Sequence, residues 1–497
     1  MQSVVSPKIE NLEAFFERFR QNIVGQDLVL ESPYGKKPVL YADWTASGRM
    51  YRPIEQRMLE HFGPYVANTH TETSTTGKVM TLAYHNAKDI IKKHVNASNR
   101  DVLIATGTGM TGAVAKFQRI LGLKLPDMWM KKVNIPEEDR PVVFISHMEH
   151  HSNQTSWLET LAEVVIIPHQ PDGLVCLNQF AELLPKYAHK KLKIASVTSC
   201  SNVTGIRTPY HQIAKMMHGV GGYCFVDFAC SAPYVNINMH PEEEGAHLDA
   251  IFFSPHKFLG GPGTNGILIF NGELYKNTVP DTPGGGTVAW TNPWGGHKYF
   301  DDIEVREDGG TPGFLQLIRT ALAIRLKEEM GVENILEREH ELLGILLPGL
   351  KAIPNVNILA GHIEDRLGVV SFYINDLHFN LGVRLLNDHF GIQVRGGCSC
   401  AGTYGHYLLN IDSQTSHSIT SKIDQGFLSD KPGWMRLSVH PTVTNKEAAF
   451  LVDAIKQVAE NWRQWASDYT YSASTNEWHH KSAGDYEQQL VESCLHL

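Results

Sequence analysis

The feature that most restricts the fold is a series of short apolar runs between residues 100 and 270, separated by segments with helical periodicity. The runs cover 102–105, 142–146, 164–168, 192–197, 223–226, 250–254 and 266–270. Apolar runs of this length, bounded by turns, are typical of strands buried on both faces, and the helices between them indicate βαβ units. The sequence therefore predicts an α/β domain with a mostly parallel seven-stranded sheet, which binds ligands at the carboxyl ends of its strands.

The remaining chain predicts a second, smaller α/β domain and two terminal extensions. In chain order, the predicted segments are an N-terminal arm that joins the small domain (1–40), the large domain (41–330), the small C-terminal domain (331–466) and a polar, His-rich tail expected to be loosely attached (467–497). The segments 123–140 and 411–432 have the composition of inserted loops.

Composition and charge exclude several classes of protein. A formal net charge of −9 argues against a general nucleic-acid or anionic-membrane binder. No apolar run approaches the roughly 18–20 residues that a membrane span requires. The N-terminus lacks a basic start followed by an apolar stretch, so we expect no secretory signal. Seven cysteines in such a chain indicate reduced thiols, and we predict a cytoplasmic protein.

One lysine stands out because it follows the sixth apolar run directly. The segment SPHK (254–257) leads into a glycine-rich loop, so Lys257 is expected at the carboxyl end of a strand. A confined lysine with cationic neighbours has a lowered amine pKa and can form a Schiff base. An ordinary solvated loop lysine is the alternative.

A carboxylate ends the preceding apolar run, 30 residues before Lys257. Asp227 at this position could pair with a protonated pyridine nitrogen and make such a ring an electron sink. A strand-end aspartate that caps the next turn is the alternative.

A glycine-rich turn over 105–113 follows a predicted strand and opens a predicted helix. Its backbone N–H groups, with the helix dipole, suit a phosphate group. Gly107, Gly109 and Gly112 match the spacing of the dinucleotide fingerprint. A Rossmann domain is disfavoured, since the turn lies 100 residues into the chain and no acidic residue ends a strand about 20 residues later.

The segment SHMEHHSN (146–153) also follows a strand. His150 could stack on an aromatic ring and handle protons near neutral pH. The nearby His147 and His151 make a metal conceivable, but no fourth ligand stands at a usual spacing, so we predict no metal at the site.

Two cysteines and one arginine complete the candidates. Cys398 and Cys400 lie in a glycine-rich loop after a strand, where activated thiolates occur, although a redox pair or half a metal site would look similar. Arg436, in a strand of the small domain, could clamp a carboxylate with two hydrogen bonds, whereas a surface arginine is the common explanation.

Taken in order, these motifs resemble the class V aminotransferase-like group of fold-type I enzymes that depend on pyridoxal 5'-phosphate (PLP), especially cysteine desulfurases and selenocysteine lyases. The resemblance runs from about residue 41 to 462. It is carried by YADWTAS (41–47), NTH (68–70), EHHSN (149–153), SNVTG (201–205), VD (226–227), SPHK (254–257), GGGT (284–287), GGTP (309–312) and Arg436.

The resemblance implies roles for these residues around PLP. Lys257 would carry the cofactor as a Schiff base and move the Cα proton, His150 would stack on the ring, and Asp227 would pair with its nitrogen. The other residues that would contact the cofactor are Thr108, Gly109, Met110, Asn202, Ser254, His256 and Thr287. Because the loop with Thr287 reaches a neighbouring subunit in the family, a homodimer with shared active sites is implied.

The resemblance also implies a substrate and a reaction. The residues that would bind an amino acid are Arg436, which would hold its α-carboxylate, Asn202, Thr45, Ala46 and His70. Cys400 aligns with the persulfide-forming cysteine of the family, and Cys398 is an additional thiol. The expected reaction removes sulfur from L-cysteine, or selenium from selenocysteine, releases alanine and passes the sulfur to an acceptor protein.

Departures from the family pattern keep other reactions open. Cys230 stands where the family usually has glutamine, Met110 lies where hydroxyl residues are usual, and the 411–432 insertion precedes Arg436. A PLP-dependent β-lyase, epimerase or aminotransferase acting on another amino acid is one alternative. A non-catalytic sulfur carrier or scaffold of the same fold is the other.

Overall fold

A computed structural model describes residues 9–69, 71–482, 484 and 486–496 and divides them into two compact units. The sheet unit consists of Ala46–Ser201 and Arg207–Val332. The terminal unit consists of the described residues up to Thr45, Asn202–Ile206 and the described residues from Glu333 onward. The short segment Asn202–Ile206 therefore belongs to the terminal unit although the chain on both sides of it belongs to the sheet unit.

The strands, in chain order, are β1 Val29–Ser32, β2 Gly35–Pro38, β3 Leu40–Tyr41, β4 Asp101–Thr106, β5 Val142–Ile145, β6 Glu163–Ile166, β7 Lys193–Thr198, β8 Tyr223–Asp227, β9 Ala250–Phe253, β10 Gly266–Asn271, β11 Val288–Thr291, β12 His297–Tyr299, β13 Val356–Ile358, β14 Val369–Ile374, β15 Ile392–Gln393, β16 Arg395–Gly397, β17 Trp434–Ser438, β18 Tyr469–Ser472 and β19 Glu477–His480.

The α-helices, in chain order, are α1 Leu12–Arg20, α2 Arg52–Gln56, α3 Thr75–His94, α4 Met110–Ile120, α5 Asp127–Met130, α6 His151–Leu158, α7 Leu177–Leu183, α8 Tyr210–Gly219, α9 Ile303–Arg306, α10 Phe314–Met330, α11 Val332–Lys351, α12 Phe379–Phe390, α13 Gly402–Leu408, α14 Ser413–Asp424, α15 Asn445–Trp465 and α16 Tyr486–Leu495. None of the helices in the described ranges has both the length and the apolar character needed to cross a lipid bilayer.

The sheet unit is built on a seven-stranded sheet with the order β4-β10-β9-β8-β7-β5-β6. β10 runs antiparallel to both of its neighbours, and the remaining pairs are parallel. The predicted mostly parallel seven-stranded sheet is confirmed, and each of the seven apolar runs forms one of its strands. Continuous apolar runs are needed here because the central strands are buried along almost their whole length, so side chains on both faces of the sheet are removed from water.

One aromatic cluster shows how a helix is fixed on this sheet. Phe117 of α4 lies edge-on to Phe225 of β8, with 5.1 Å between ring centroids, and also contacts Phe252 and Phe270. All four side chains are fully buried. Aromatic burial of this kind holds α4 over the sheet, and the amino end of α4 lies at the carboxyl end of β4.

The terminal unit contains a four-stranded antiparallel sheet in the order β13-β14-β17-β16. Leucines of α11, α12 and α15 pack against it in one apolar core. At the start of α15, Thr444 and Glu447 form a capping box, and Glu447 also accepts two hydrogen bonds from Arg20 of α1, at 2.7 and 2.8 Å. The helix near the N-terminus is therefore tied to the last long helix of the same unit.

The structure differs from the predicted loose tail after residue 467. β18 and β19 form an antiparallel hairpin, and Tyr469 is buried in the core of the terminal unit. The Tyr469 hydroxyl donates a hydrogen bond of 2.9 Å to Asp388. The prediction was based on the overall polar composition of this segment. It overlooked the alternation of aromatic residues, which is typical of a strand with one buried face.

The two predicted inserted loops also contain helical structure. The segment 123–140 includes the single turn α5, and the segment 411–432 includes α14. No residue of α14 is buried, and Asp412 caps its first turn by accepting a hydrogen bond from the Thr415 N–H at 2.7 Å. This exposure explains why the helix lacked an apolar stripe in the sequence.

Candidate active site

The glycine-rich turn between β4 and α4 is folded against the residue that follows β9. Gly107 has a φ of +57°, a conformation that favours glycine. The Met110 N–H, in the first turn of α4, donates a hydrogen bond of 2.8 Å to Ser254 Oγ. A Cβ on Gly109 would lie 3.1 Å from the same oxygen, closer than an ordinary contact. The structure thus brings together Gly109, Met110 and Ser254, which the resemblance implied as contacts of one cofactor.

An open cavity of about 580 Å³ lies beside this turn. Its lining consists of polar and glycine-rich segments, namely Ser47, Gly107, Thr108, His256, Pro262, Gly263, Thr264, Asn265 and Gln316. Thr264 Oγ1 and Asn265 Oδ1 are buried and make no hydrogen bond within the described part of the chain. A cavity with a helix N-terminus, hydroxyl groups and unsatisfied polar atoms suits a phosphate-bearing ligand. Ser47, Thr264 and Asn265 were not assigned a role from the sequence, although Ser47 ends the segment YADWTAS and the other two lie in the glycine-rich loop after Lys257.

His256 is held at the rim of this cavity. The Gly48 N–H and the Ser47 hydroxyl donate to its backbone oxygen at 2.9 and 3.2 Å. Burial, with the neighbouring positive charge of Lys257, lowers the pKa of the His256 ring to about 4. The ring is therefore neutral near pH 7 and can donate from one nitrogen and accept at the other.

Asp227 is the last residue of β8 and is buried. Its Oδ1 accepts a hydrogen bond of 2.8 Å from the Ala229 N–H. Burial raises the pKa of the carboxyl to about 6, while that hydrogen bond and the charge of Lys257 act in the opposite direction. Asp227 ends β8, and Lys257 follows the neighbouring strand β9, so both groups lie at the carboxyl edge of the sheet.

Lys257 occupies the end of a short 3-10 turn, Pro255–Lys257, that directly follows β9. Its backbone N–H donates to the Ser254 carbonyl at 3.0 Å, which closes the turn. The side chain is half-buried. Because β8 and β9 are parallel neighbours, with Asp227 opposite Phe252, the turn begins three residues beyond the level of Asp227.

His150 caps the amino end of α6, just after β5. Its Nδ1 accepts a hydrogen bond of 3.1 Å from the Ser152 N–H. Ser152 Oγ lies 2.7 Å from Thr111 Oγ1, which links the first turns of α6 and α4. Since Nδ1 is an acceptor, the neutral ring carries its proton on Nε2. The ring is thus fixed in orientation, with Nε2 as its donor.

A buried glutamate next to His150 was not predicted as a functional residue. Glu149 accepts hydrogen bonds from the Ser146 hydroxyl, the Asn153 side-chain amide and the Thr198 N–H, at 2.5, 2.7 and 2.8 Å. Burial raises its pKa to about 7 against the effect of these donors, and the nearby Asp227 charge adds to the rise. It connects the ends of β5 and β7. Its position beside His150 in EHHSN was the available sequence indication.

The Thr287 hydroxyl is engaged within its own loop. It donates to the Gly284 carbonyl at 2.7 Å and accepts from the Gly284 N–H at 3.2 Å. The Thr287 side chain is fully buried, whereas Gly284, Gly285 and Gly286 are exposed. Backbone groups of the exposed glycines are therefore the part of this loop that a second molecule can reach.

In the terminal unit, Arg436 of β17 is almost fully buried. Its Nη2 donates to Asp43 at 2.6 Å and its Nη1 to the Asn202 carbonyl at 3.2 Å, while Nε has no partner among the described residues. Asp43, which the sequence did not single out, neutralises part of its charge. A buried guanidinium with an unsatisfied donor suits an anionic ligand.

Thr45, Ala46 and His70 were also predicted to bind the substrate. Thr45 is buried, and its N–H donates to the Ser438 hydroxyl at 2.9 Å. Ala46, the first residue of the sheet unit, is half-buried. His70 lies outside the described residues.

The loop that carries both predicted thiols, 397–400, is here called the thiol loop. Ser399 and Cys400 have φ values of +51° and +56°, which is uncommon for residues other than glycine. Ser399 is held on two sides: its carbonyl accepts from Asn202 Nδ2 at 2.7 Å, and its hydroxyl accepts from the Trp434 indole at 3.2 Å. Cys398 and Cys400 are free and half-buried. The loop thus presents two thiols on a turn fixed by its buried central residue.

Asn202 itself is buried, and its Oδ1 has no hydrogen-bond partner within the described ranges. Its amide nitrogen is used by the thiol loop. A buried amide oxygen without a partner costs free energy unless a ligand supplies a donor. Asn202 therefore has one acceptor left for such a ligand.

The chain matches the family model described as class-V aminotransferase over residues 40–451. A protein named probable cysteine desulfurase from Halalkalibacterium halodurans is 28% identical over 377 residues, which cover 75% of this chain and 86% of the relative. A probable cysteine desulfurase from Staphylococcus epidermidis is 29% identical over 379 residues, with the same coverage of both chains.

Two solved structures have a similar fold. The apo structure of a cysteine desulfurase from Thermococcus onnurineus has a TM-score of 0.71 and 23% identity, and the match covers 90% of this chain and 98% of the other. A cysteine desulfurase from Escherichia coli has a TM-score of 0.68 and 20% identity, with 91% and 99% covered. These structures agree with the chain in fold. The match of the family model to most of the sequence shows that the chain belongs to the class-V aminotransferase family.

Proposed function

We propose that this chain is a PLP-dependent cysteine desulfurase, which removes sulfur from L-cysteine and releases alanine. Relatives that carry this name are 28–29% identical over three quarters of the chain. The single observation that supports the cofactor most directly is the buried Asp227 carboxyl at the end of β8, next to β9, the strand that leads into Lys257. An acid for the ring nitrogen and an amine for the aldehyde are what a pyridine aldehyde requires.

The residues at this edge fit PLP in chemical type. The turn Gly107–Met110, Ser254 and the adjoining cavity offer backbone N–H groups and hydroxyls for its phosphate. The unsatisfied atoms of Thr264 and Asn265 give further positions for hydrogen bonds. We assign His150 to the ring face and Asp227 to the ring nitrogen. When bound, PLP withdraws electrons from the substrate and so weakens the bonds at its Cα.

The chain's own residues are proposed to act on the substrate as follows. Lys257 Nζ holds the cofactor and then moves the proton at the substrate Cα. Arg436 binds the α-carboxylate, for which its unsatisfied Nε and its burial suit it. Asp43, already hydrogen-bonded to Arg436, keeps the guanidinium in place before the substrate arrives.

Sulfur transfer is assigned to the thiol loop. The Cys400 thiolate attacks the substrate sulfur, so that an S–S bond forms as the Cβ–S bond of the substrate breaks. The electron pair of that bond stays with the three-carbon fragment, which takes up a proton and leaves as alanine. Cys398, two residues away, is a second thiol that can accept the sulfur. Support comes from the half-buried, unbridged state of both cysteines and from the names of the relatives.

Several wider assignments belong to the same proposal. We infer a cytoplasmic homodimer in which the exposed backbone of Gly284–Gly286 contributes to the partner's phosphate site, and transfer of sulfur to an acceptor protein. The seven cysteines form no disulfide, which supports the cytoplasmic assignment, and membership of the class-V aminotransferase family supports the dimer and the acceptor. Selenocysteine is the alternative substrate for the same residues.

The test is to incubate the PLP-loaded enzyme with L-cysteine and a thiol reductant and to quantify alanine and sulfide. The parent should release both in equal amounts. Cys400→Ala should lose both by at least about 100-fold, as expected when a nucleophile is removed, and should keep the visible absorbance of bound PLP. Cys494→Ala removes an exposed cysteine of α16 and is the matched control that keeps full turnover.

Three outcomes would change the proposal. Normal alanine release by Cys400→Ala would exclude this residue as the sulfur acceptor. Loss of activity in Cys398→Ala alone would move the role to Cys398. Release of pyruvate and ammonia in place of alanine would identify a β-lyase.

A further inference from the structure

A second cluster of ligand-type side chains lies in the sheet unit, away from the candidate active site. His218, His247 and Asp249 offer one ligand atom each, and these atoms all lie within 4.8 Å of one another. His218 is near the end of α8, and Asp249 directly precedes β9. No role in the proposed desulfurase chemistry uses these residues.

The cluster stands at the amino end of the strands, whereas the proposed cofactor residues stand at the carboxyl end. Asp249 precedes β9 and Ser254 follows it. Four strand residues lie between them, so their Cα atoms are five steps apart, which is roughly 16 Å at about 3.3 Å per step. The two sites are thus at opposite edges of one sheet.

Two of the three side chains are already oriented by backbone groups. His218 Nδ1 lies 2.6 Å from the Gly245 carbonyl, so this nitrogen donates and Nε2 points at Asp249 Oδ2, 2.8 Å away. Asp249 Oδ2 also accepts from the Cys224 N–H at 2.8 Å. A histidine tied to a carbonyl through its second nitrogen and a hydrogen-bonded carboxylate are the usual outer contacts of metal ligands.

The cluster is accessible from solvent on the side of His247. Its ring stacks on that of His218, with 3.9 Å between centroids and 11° between planes, and its Nε2 lies 3.8 Å from Asp249 Oδ1. The His247 side chain is 41% exposed. Ligands of a tetrahedral Zn²⁺ with bonds of about 2.0–2.2 Å lie roughly 3.3 Å apart, so a small rotation of this exposed ring closes the site.

We propose that His218, His247 and Asp249 bind a zinc-type divalent cation. Two imidazoles and one carboxylate match the ligand preference of Zn²⁺ and disfavour Mg²⁺ and Ca²⁺, which prefer oxygen ligands. Three protein ligands leave a fourth position for water. The cation replaces the proton between His218 Nε2 and Asp249, which passes to solvent, and it ties α8 to β9. This inference does not depend on the proposed desulfurase activity.

The test is a calorimetric titration of the full-length, PLP-loaded protein with Zn²⁺ after treatment with a chelator. The parent for this test carries Cys398→Ser and Cys400→Ser, so that the thiol loop cannot take the metal. We expect one equivalent of Zn²⁺ to bind with micromolar or tighter affinity. His247→Ala should weaken that binding at least tenfold, because it removes one ligand of three.

His240→Ala is the matched control. The His240 ring lies 6.4 Å from that of His247, yet its Nε2 is held by Asp101 at 2.6 Å, so it is not a ligand. This variant should bind Zn²⁺ within about threefold of the parent. Equal affinity in the parent and in His247→Ala, or no binding by the parent, would overturn the proposal and leave an ion pair between His218 and Asp249 only.

A second measurement covers the case in which His247→Ala does not fold. X-ray absorption at the zinc edge of the loaded parent should show two imidazole ligands. A spectrum with fewer than two imidazoles would place the metal elsewhere and refute the assignment.

Discussion

The carboxyl edge of the seven-stranded sheet and the thiol loop are held in place by different means. At the sheet edge, Asp227 and Glu149 are fixed by buried strands, and their burial raises both pKa values. In the thiol loop, Ser399 and Cys400 adopt left-handed conformations, which cost of order 1–3 kcal/mol each for residues other than glycine. Hydrogen bonds from Asn202 and Trp434 offset part of that cost.

Proton transfer at the sheet edge and sulfur transfer at the thiol loop therefore depend on different interactions. Groups at the sheet edge have their charge state set by burial and can respond strongly to pH and to substitution. The thiols stand on a turn whose geometry depends on a few side-chain hydrogen bonds. Substitutions at the sheet edge should therefore abolish chemistry or shift pH dependence, whereas substitutions of the residues that hold the loop, as opposed to its thiols, should change rates more moderately.

The largest effect is expected from Lys257→Ala. Loss of the amine that holds the cofactor and moves the proton should lower alanine release by about 10³-fold or more, which corresponds to about 4 kcal/mol of activation free energy. Alanine formation by mass spectrometry and the visible absorbance of bound PLP measure the effect. The exposed Lys276, replaced by alanine, should leave both unchanged. If Lys257→Ala kept turnover within tenfold of the parent, the residues at the sheet edge would have no essential role in the mechanism.

The next effect concerns Glu149→Gln and the dependence of stability on pH. The pKa of Glu149 is raised from 4.5 to about 7 by burial, so the folded state binds its proton more tightly than the unfolded state. This contribution to stability is present below pH 4.5 and is lost as the pH rises to about 7. The difference in unfolding free energy, parent minus variant, should fall by on the order of 3 kcal/mol across this range.

Urea denaturation at several pH values measures this difference. Glutamine is neutral at every pH and therefore lacks the proton-linked contribution. A difference that stays constant between pH 4.5 and 7 would show that the donors around Glu149 keep it ionised, and it would weaken the contrast between the buried edge and the loop.

The smallest effect is expected from Ser399→Ala in the thiol loop. The substitution leaves the buried Trp434 N–H without its acceptor, which should cost about 1–2 kcal/mol of stability and lower sulfur transfer roughly tenfold. Binding of PLP should not change. The control is the double variant with Trp434→Phe, which removes the unsatisfied donor, so the two changes should not be additive. Additive losses of stability would mean that this hydrogen bond does not hold the loop.

Much of the sheet unit could be predicted because its determinants are local. Each apolar run predicted a strand within one or two residues, and the positions of Asp227 and Ser254 at strand ends followed from the ends of those runs. Apolar periodicity and turn residues involve only residues close in the chain, so the sequence alone reveals them.

The partners of several site residues could not be predicted in this way. Arg436 pairs with Asp43, which is 393 positions earlier, and the carbonyl of Ser399 meets Asn202, which is 197 positions earlier. Neither pair leaves a local pattern. The buried hairpin after residue 467 was not predicted, because its overall composition is polar although one of its faces is apolar.

The sequence was sufficient to predict the seven strands of the large sheet, its mostly parallel arrangement and the edge at which Asp227, Ser254 and Lys257 emerge, since apolar periodicity dictates which faces are removed from water. The tertiary structure alone decided which atoms remain unsatisfied, how far burial raises the pKa values of Asp227 and Glu149, and how Ser399 is held. These properties depend on desolvation and on contacts between residues distant in the chain, which exist only once the chain has folded.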